Sequence, residues 1–138
     1  MSIELVPLCT VHITMGEQVL IGAGPSGMRV IAEVGDGRVE GERLAGTWRQ
    51  GAADWLVVNG GIGTVDVRAV NETDDGARVM VSYGGRIDLR DGLGAAPIHV
   101  APRFETGHPD YAWLNLVQAV GRGVIDGAAL TYEIAEVR

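Results

Sequence analysis

Apolar and polar residues alternate along most of this chain with a period of two, and the alternating runs are short and rich in β-branched residues. Side chains on a strand point to opposite faces in turn, so this pattern predicts strands with one buried face. Ten runs qualify: Glu4 to Thr14, Gln18 to Ile21, Met28 to Val34, Arg38 to Gln50, Asp54 to Asn59, Thr64 to Asn71, Ala77 to Leu89, Ile98 to Thr106, Tyr111 to Gly121 and Ala128 to Val137. Between them, Gly35-Asp36-Gly37, Asn59-Gly60-Gly61 and Asp74-Asp75-Gly76 supply hairpin chemistry, because glycine accepts positive φ at a tight turn. Consecutive hairpins build an antiparallel meander, and ten strands in one open sheet would leave long unpaired edges. The expected fold is therefore all-β, a closed antiparallel β-barrel of about ten strands, in a single domain over residues 1–138.

One segment points elsewhere. Gly22-Ala23-Gly24-Pro25-Ser26-Gly27 is a G-x-G-x-x-G string after the strand-like Val19-Leu20-Ile21, the arrangement of a flavin or nicotinamide site. That motif works by letting the backbone approach a pyrophosphate at a helix N-terminus, so a helix must follow. Here Met28 to Val34 runs only to Gly35, and Val30, Ile31 and Val34 favour a strand. The string reads as a glycine-rich turn, and no cofactor is expected.

Composition narrows the partners. Eleven basic against eighteen acidic residues give a formal charge of -7, and the basic ones are scattered, which disfavours a phosphate backbone. Cys9 is the only cysteine and lies in an apolar run, so it reads as a core residue, and a reducing compartment is compatible. No basic leader precedes an apolar stretch and no run approaches the ~18 apolar residues of a spanning helix, so the expectation is a cytoplasmic protein with no membrane partner. His12, His99 and His108 are isolated, which predicts no metal site, and Ser26 and Ser82 have no histidine nearby in sequence.

Three polar-aromatic strings carry the chemistry. Asp54-Trp55 closes the first, and Asp66-Val67-Arg68 places a carboxylate and a guanidinium on one strand face. In the third, Arg103 and Glu105 share a face of Arg103-Phe104-Glu105-Thr106, while Tyr111, Trp113 and Asn115 share a face of the strand expected after it.

Together these strings resemble the DUF3237 family, also called UPF0311, of small bacterial proteins. The matching points are Gly37-Arg38-Val39-Glu40-Gly41, Ala53-Asp54-Trp55, Asp66-Val67-Arg68, Thr73-Asp74-Asp75-Gly76, Arg103-Phe104-Glu105-Thr106 and Tyr111-Ala112-Trp113-Leu114-Asn115. The resemblance implies a lipocalin-like antiparallel β-barrel and no particular activity. The chain departs from the family pattern at Ala69, at Ile98-His99 and at Ser82-Tyr83-Gly84-Gly85, so any ligand met there differs.

Inside such a barrel, Trp55, Tyr111 and Trp113 would give flat apolar walls, with Arg68, Tyr83, Glu105 and Asn115 as further ligand contacts. Asp54, Asp66 and Arg103 are the catalytic candidates. A desolvated carboxylate abstracts a proton beside a carbonyl, and an arginine holds the enolate, which is isomerase, cyclase or lyase chemistry on a small aromatic or polyketide-like compound. Two other readings stay open: a non-catalytic carrier of a small apolar ligand, and a structural module in which Asp66-Arg68 and Arg103-Glu105 are internal ion pairs fixing strand register. A homodimer is also expected, because Ala112, Leu114 and Leu116 would form an apolar row opposite Tyr111, Trp113 and Asn115.

Overall fold

A computed structural model describes residues 1–138 and shows ten strands and one short helix. The strands are β1 Leu5–Gly24, β2 Gly27–Glu40, β3 Gly46–Trp48, β4 Ala53–Asn59, β5 Ile62–Thr73, β6 Arg78–Asp88, β7 Ile98–Val100, β8 Arg103–Glu105, β9 Ala119–Asp126 and β10 Ala129–Val137. A 3-10 helix occupies Pro109–Leu116. No helix is long and apolar enough to cross a membrane.

Every pairing is antiparallel, and the pairings run in a ring: β1–β2–β4–β5–β6–β7–β9–β10 and back to β1. The two remaining strands fill broken positions. β3 joins β2 to β5 beyond the end of β4, and β8 continues along β6 beyond β7. The result is a barrel-like fold with one apolar interior. Alternation decides what enters it: on β5, Val65, Val67 and Ala69 are buried while Asp66 and Arg68 are exposed, and on β6, Val79, Val81 and Tyr83 are buried while Arg78 and Met80 are exposed.

The turns divide into those the sequence marks correctly and one it does not. Gly60 and Gly61, at φ 61° and 77°, form the two-residue turn between Asn59 and Ile62. Gly24 pairs with Gly27 around Pro25-Ser26, so the G-x-G-x-x-G string is a hairpin turn leading into a strand. Gly35-Asp36-Gly37, expected as a turn, lies inside β2. There β1 and β2 stay paired on both sides of a bulge between Thr14 and Gln18, where a Cβ on Gly35 would lie 3.0 Å from the Thr14 carbonyl oxygen. The glycine permits a close strand crossing there instead of a reversal.

Other expected strands are corrected: Glu4 to Thr14 and Gln18 to Ile21 are parts of one strand, β1, and Ile98 to Thr106 breaks at Ala101-Pro102 into β7 and β8. The run from Arg38 to Gln50 breaks after Glu40 because the chain leaves β2 over Leu8, where a Cβ on Gly41 would meet the Leu8 carbonyl oxygen at 2.6 Å. Tyr111 to Gly121 is not one strand. Its first half is the 3-10 helix, with Pro109 in the first turn, where a missing N–H costs nothing, and His108 Nδ1 accepting the Asp110 N–H at 3.2 Å. In that helix Leu114 is 0% and Leu116 93% exposed, so Ala112, Leu114 and Leu116 form no common apolar row, and the reason for expecting a homodimer there lapses.

Candidate functional site

The interior holds one charged group. Asp54 follows Ala53 at the start of β4, opposite Ala32 on β2 and Val67 on β5, and points into a chamber of about 80 Å³. Apolar side chains such as Val65, Val67, Ile87 and Leu130 make most of its wall; besides Asp54, the polar lining is Gln18, Tyr83 and Tyr132. Leu93, 62% exposed, stands at its rim.

Burial pushes the Asp54 carboxyl up to about 6, helped by the nearby Asp66 charge and opposed by the Asp66 backbone N–H, which donates to Asp54 Oδ1 at 2.9 Å. Such a carboxyl changes protonation state near neutrality, as a group that both takes and returns a proton must. Tyr83 and Tyr132 pack edge to face, with ring centroids 5.5 Å apart. Burial raises both phenols above their ordinary value, and the Asp54 charge contributes to each. They stay neutral hydroxyls in the wall that also carries Asp54.

The structure brings Asp54 and Tyr83 of the sequence candidates together in the chamber, gathers Arg103, Glu105 and Asn115 on an outer depression of about 600 Å³, and places the others apart from both. Asp66 and Arg68 share a face, as alternation requires, but it is the outer face, because the apolar Val65 and Val67 take the inner one. Trp55 is 51% exposed: it neighbours Asp54 on a strand, so only one of the two can point inward. Arg103 and Glu105 are exposed on β8. Neither Asp66 with Arg68 nor Arg103 with Glu105 forms an ion pair, so these residues do not fix register as internal pairs either. Arg103→Met and Asp66→Asn should therefore leave the urea unfolding midpoint where it is; a sharp drop for either would mean a buried partner.

Tyr111, Trp113 and Asn115 serve the 3-10 helix rather than the chamber. The Tyr111 hydroxyl donates to Asp75 at 2.8 Å, Trp113 lies under the Arg43 guanidinium at 5.3 Å, and Asn115 brackets Thr106, accepting its N–H at 2.9 Å and donating to its carbonyl at 3.0 Å. Arg43 in turn binds Glu136 at 2.8 Å, tying the helix to β10. Cys9 is a half-buried thiol pushed up to about 12 by desolvation, with no nucleophilic character near neutrality. A wider depression of about 960 Å³ lies between Glu40 to Arg43 and the Leu5 to Thr10 segment. Its lining mixes Glu40, Arg43, Arg122 and Glu133, of which only Arg43 is partly buried.

The sequence matches the family described as "Protein of unknown function (DUF3237)" over residues 3–137. The chain belongs to the DUF3237 family. It is 27% identical to the UPF0311 protein RPA1785 of Rhodopseudomonas palustris over 149 residues, covering 99% of this chain and 97% of that protein. Among solved structures, a β-barrel like protein of Acinetobacter baumannii AYE superposes with a TM-score of 0.88 at 27% identity, covering 100% of this chain and 98% of the other. An enzyme from Penicillium herquei shares the fold at a TM-score of 0.67 and 21% identity, covering 98% and 93% of the two chains. These DUF3237 and fold relatives agree with the barrel-like architecture.

Sequence reasoning missed Tyr132, Trp48 and Asn71, all buried in the interior. Tyr132 and Asn71 had a readable signal: each stands on the apolar side of its alternation, with Leu130 and Ile134 or with Val67 and Ala69. Trp48 sits on a strand of three residues, too short for alternation to speak.

Proposed function

We propose that this DUF3237 protein is a cofactor-independent enzyme of the isomerase, cyclase or lyase type, acting by proton transfer on a small, largely apolar carbonyl compound. The ring of eight strand positions supports reading the fold as a closed, lipocalin-like barrel whose interior takes the ligand. The observation that carries the reading is Asp54: a lone carboxyl in an apolar chamber, raised to about 6, with two neutral tyrosines in the same wall.

In the proposed step the Asp54 carboxylate takes a proton from the carbon beside the carbonyl. The C–H electron pair moves into a new C–C double bond and the carbonyl pair onto oxygen, where the Tyr83 or Tyr132 hydroxyl donates to the forming enolate. Returning the proton to another carbon isomerises the compound; expelling a β-substituent is elimination; attack of the enolate on a second carbonyl is cyclisation. The tyrosines take the enolate-holding role that the sequence reading gave to Arg103.

Deuterium uptake at the α-carbons of cyclohexanone in D2O, followed by NMR, tests this without knowledge of the natural substrate. Exchange above the buffer rate should rise with pH through about 6 and then level off, as Asp54 ionises. Asp54→Asn should lower the catalysed rate about 100-fold or more. Exchange that survives in Asp54→Asn removes Asp54 as the base. Binding without exchange in the wild type leaves the carrier reading in its place.

A further inference from the structure

Beyond the tyrosine pair lies a second pocket of about 20 Å³, sharing Tyr83 and Tyr132 with the Asp54 chamber. Two of the groups lining it have no hydrogen-bond partner in the protein: the Trp48 indole N–H, and both the oxygen and the nitrogen of the Asn71 carboxamide. Trp48 is 7% and Asn71 0% exposed, and they face one another in register across β3 and β5. Buried polar groups in native structures nearly always find partners, because an unsatisfied one is strongly unfavourable. Two of them on one pocket point to a guest.

The seating of both side chains is built into the backbone. A Cβ on Gly46 would lie 2.7 Å from Asn71 Oδ1 and 2.8 Å from Nδ2, and a Cβ on Gly37 would lie 2.9 Å from the Trp48 ring. Each polar side chain thus lies flat on a bare stretch of neighbouring strand. The donor set then selects the guest. Trp48 offers only a donor, while Asn71 offers a donor and an acceptor. No charged residue lines the pocket, so a carboxylate or an ammonium would be stranded there. A carbonyl satisfies the two donors and leaves Asn71 Oδ1 alone. A hydroxyl has two lone pairs to accept from Trp48 and from Asn71 Nδ2 and a proton to donate to Asn71 Oδ1, so it can answer all three, and the space suits one such group.

We propose that Trp48 and Asn71 form a specificity subsite for one neutral hydroxyl of the ligand whose reacting carbon lies against Asp54. The inference rests on the reading of the Asp54 chamber given above and narrows the substrate class to hydroxylated carbonyl compounds. Tyr83 and Tyr132 stand between the subsite and the Asp54 chamber and line both.

Titrations of wild type, Asn71→Leu and Trp48→Phe with cyclohexanone and 4-hydroxycyclohexanone, followed by NMR, test it. Wild type should bind the hydroxyketone about tenfold more tightly, the worth of a well-made neutral hydrogen bond. That advantage should vanish in either variant while the affinity for cyclohexanone stays. Asn71→Leu should also melt higher than wild type, because an apolar side chain of similar shape replaces an unpaired amide. Equal binding of the two ketones by wild type, an advantage that survives both substitutions, or a lower melting temperature for Asn71→Leu with the advantage retained would overturn the subsite. No hydroxyl preference in wild type, with deuterium exchange of cyclohexanone intact, removes the subsite alone. Hydroxyl-dependent binding without exchange removes the proton-transfer reading and keeps the subsite. If neither ketone binds, both fall.

Discussion

Asp54→Asn should make the protein more stable at pH 8 by about 2 to 3 kcal/mol while removing its proton-transfer activity. The carboxyl has an ordinary value of 3.8 and a folded value of about 6. A group raised on folding favours the native state below its unfolded value, and that contribution is lost as pH rises through the folded one. Wild-type stability should therefore fall between about pH 4 and pH 6 for this reason and carry the full penalty above. Asparagine has no charge to desolvate and its oxygen still accepts the Asp66 N–H, so the variant avoids the penalty at every pH. Urea unfolding from pH 4 to pH 8 should show the two proteins nearly equal at the acid end and diverging as pH rises. An asparagine variant that is the less stable one at pH 8 would mean that the carboxylate is paid for by interactions the chamber geometry does not show.

Leu114→Ala should cost about 3 kcal/mol in urea unfolding, whereas Leu116→Ala, two residues on, should be close to neutral. Leu114 is fully buried and Leu116 is 93% exposed, although the two are chemically identical and stand in one short helix. Truncating Leu114 leaves a cavity between the helix and the interior, and the helix has few other anchors: the Asn115 bracket on Thr106, the Tyr111 bond to Asp75 and the Arg43 guanidinium over Trp113. Equal effects at 114 and 116 would be the signature of a strand carrying both leucines on one face, which is how the sequence alone reads.

That contrast shows where the sequence was legible. On β5 and β6 the alternation is regular, one row is clearly more apolar, and the strands, their turns and their inner faces follow. The sequence marks Asp54 as a candidate and sets Trp55 in the same interior, although adjacent positions on a strand oppose one another. Hydrophobicity favoured the tryptophan for the interior. The tertiary arrangement chose the carboxylate, and a local pattern cannot weigh a whole interior against one residue. Asp66 and Arg103 failed differently: the spacing that puts each with its partner is silent about which side of the sheet faces inward, and the valines beside Asp66 held that information. Pro109-Asp110 after His108 was the readable sign of a helix start, overridden by the alternation of aromatic and apolar residues that follows. The Gly35-Asp36-Gly37 bulge had no readable sign, since the same residues make hairpins elsewhere.

The pairing of β1 with β10 runs from Leu5 with Val137 to Thr14 with Ala129, and beyond it Glu4 and Arg138 exchange backbone hydrogen bonds at 2.8 and 2.9 Å. Most other joints in the ring are hairpins between strands close in sequence, which can form as soon as both arms exist. This joint spans nearly the whole chain and must wait. During synthesis the first strand leaves the ribosome with one edge bare, and the wall that carries Leu130, Tyr132 and Ile134 is made last. Folding should be slow for a chain of this size, as for other topologies dominated by distant contacts. Until residues 129–137 emerge, Asp54 stands in water with an ordinary carboxyl, so the chemistry proposed for it begins only when the last strand docks.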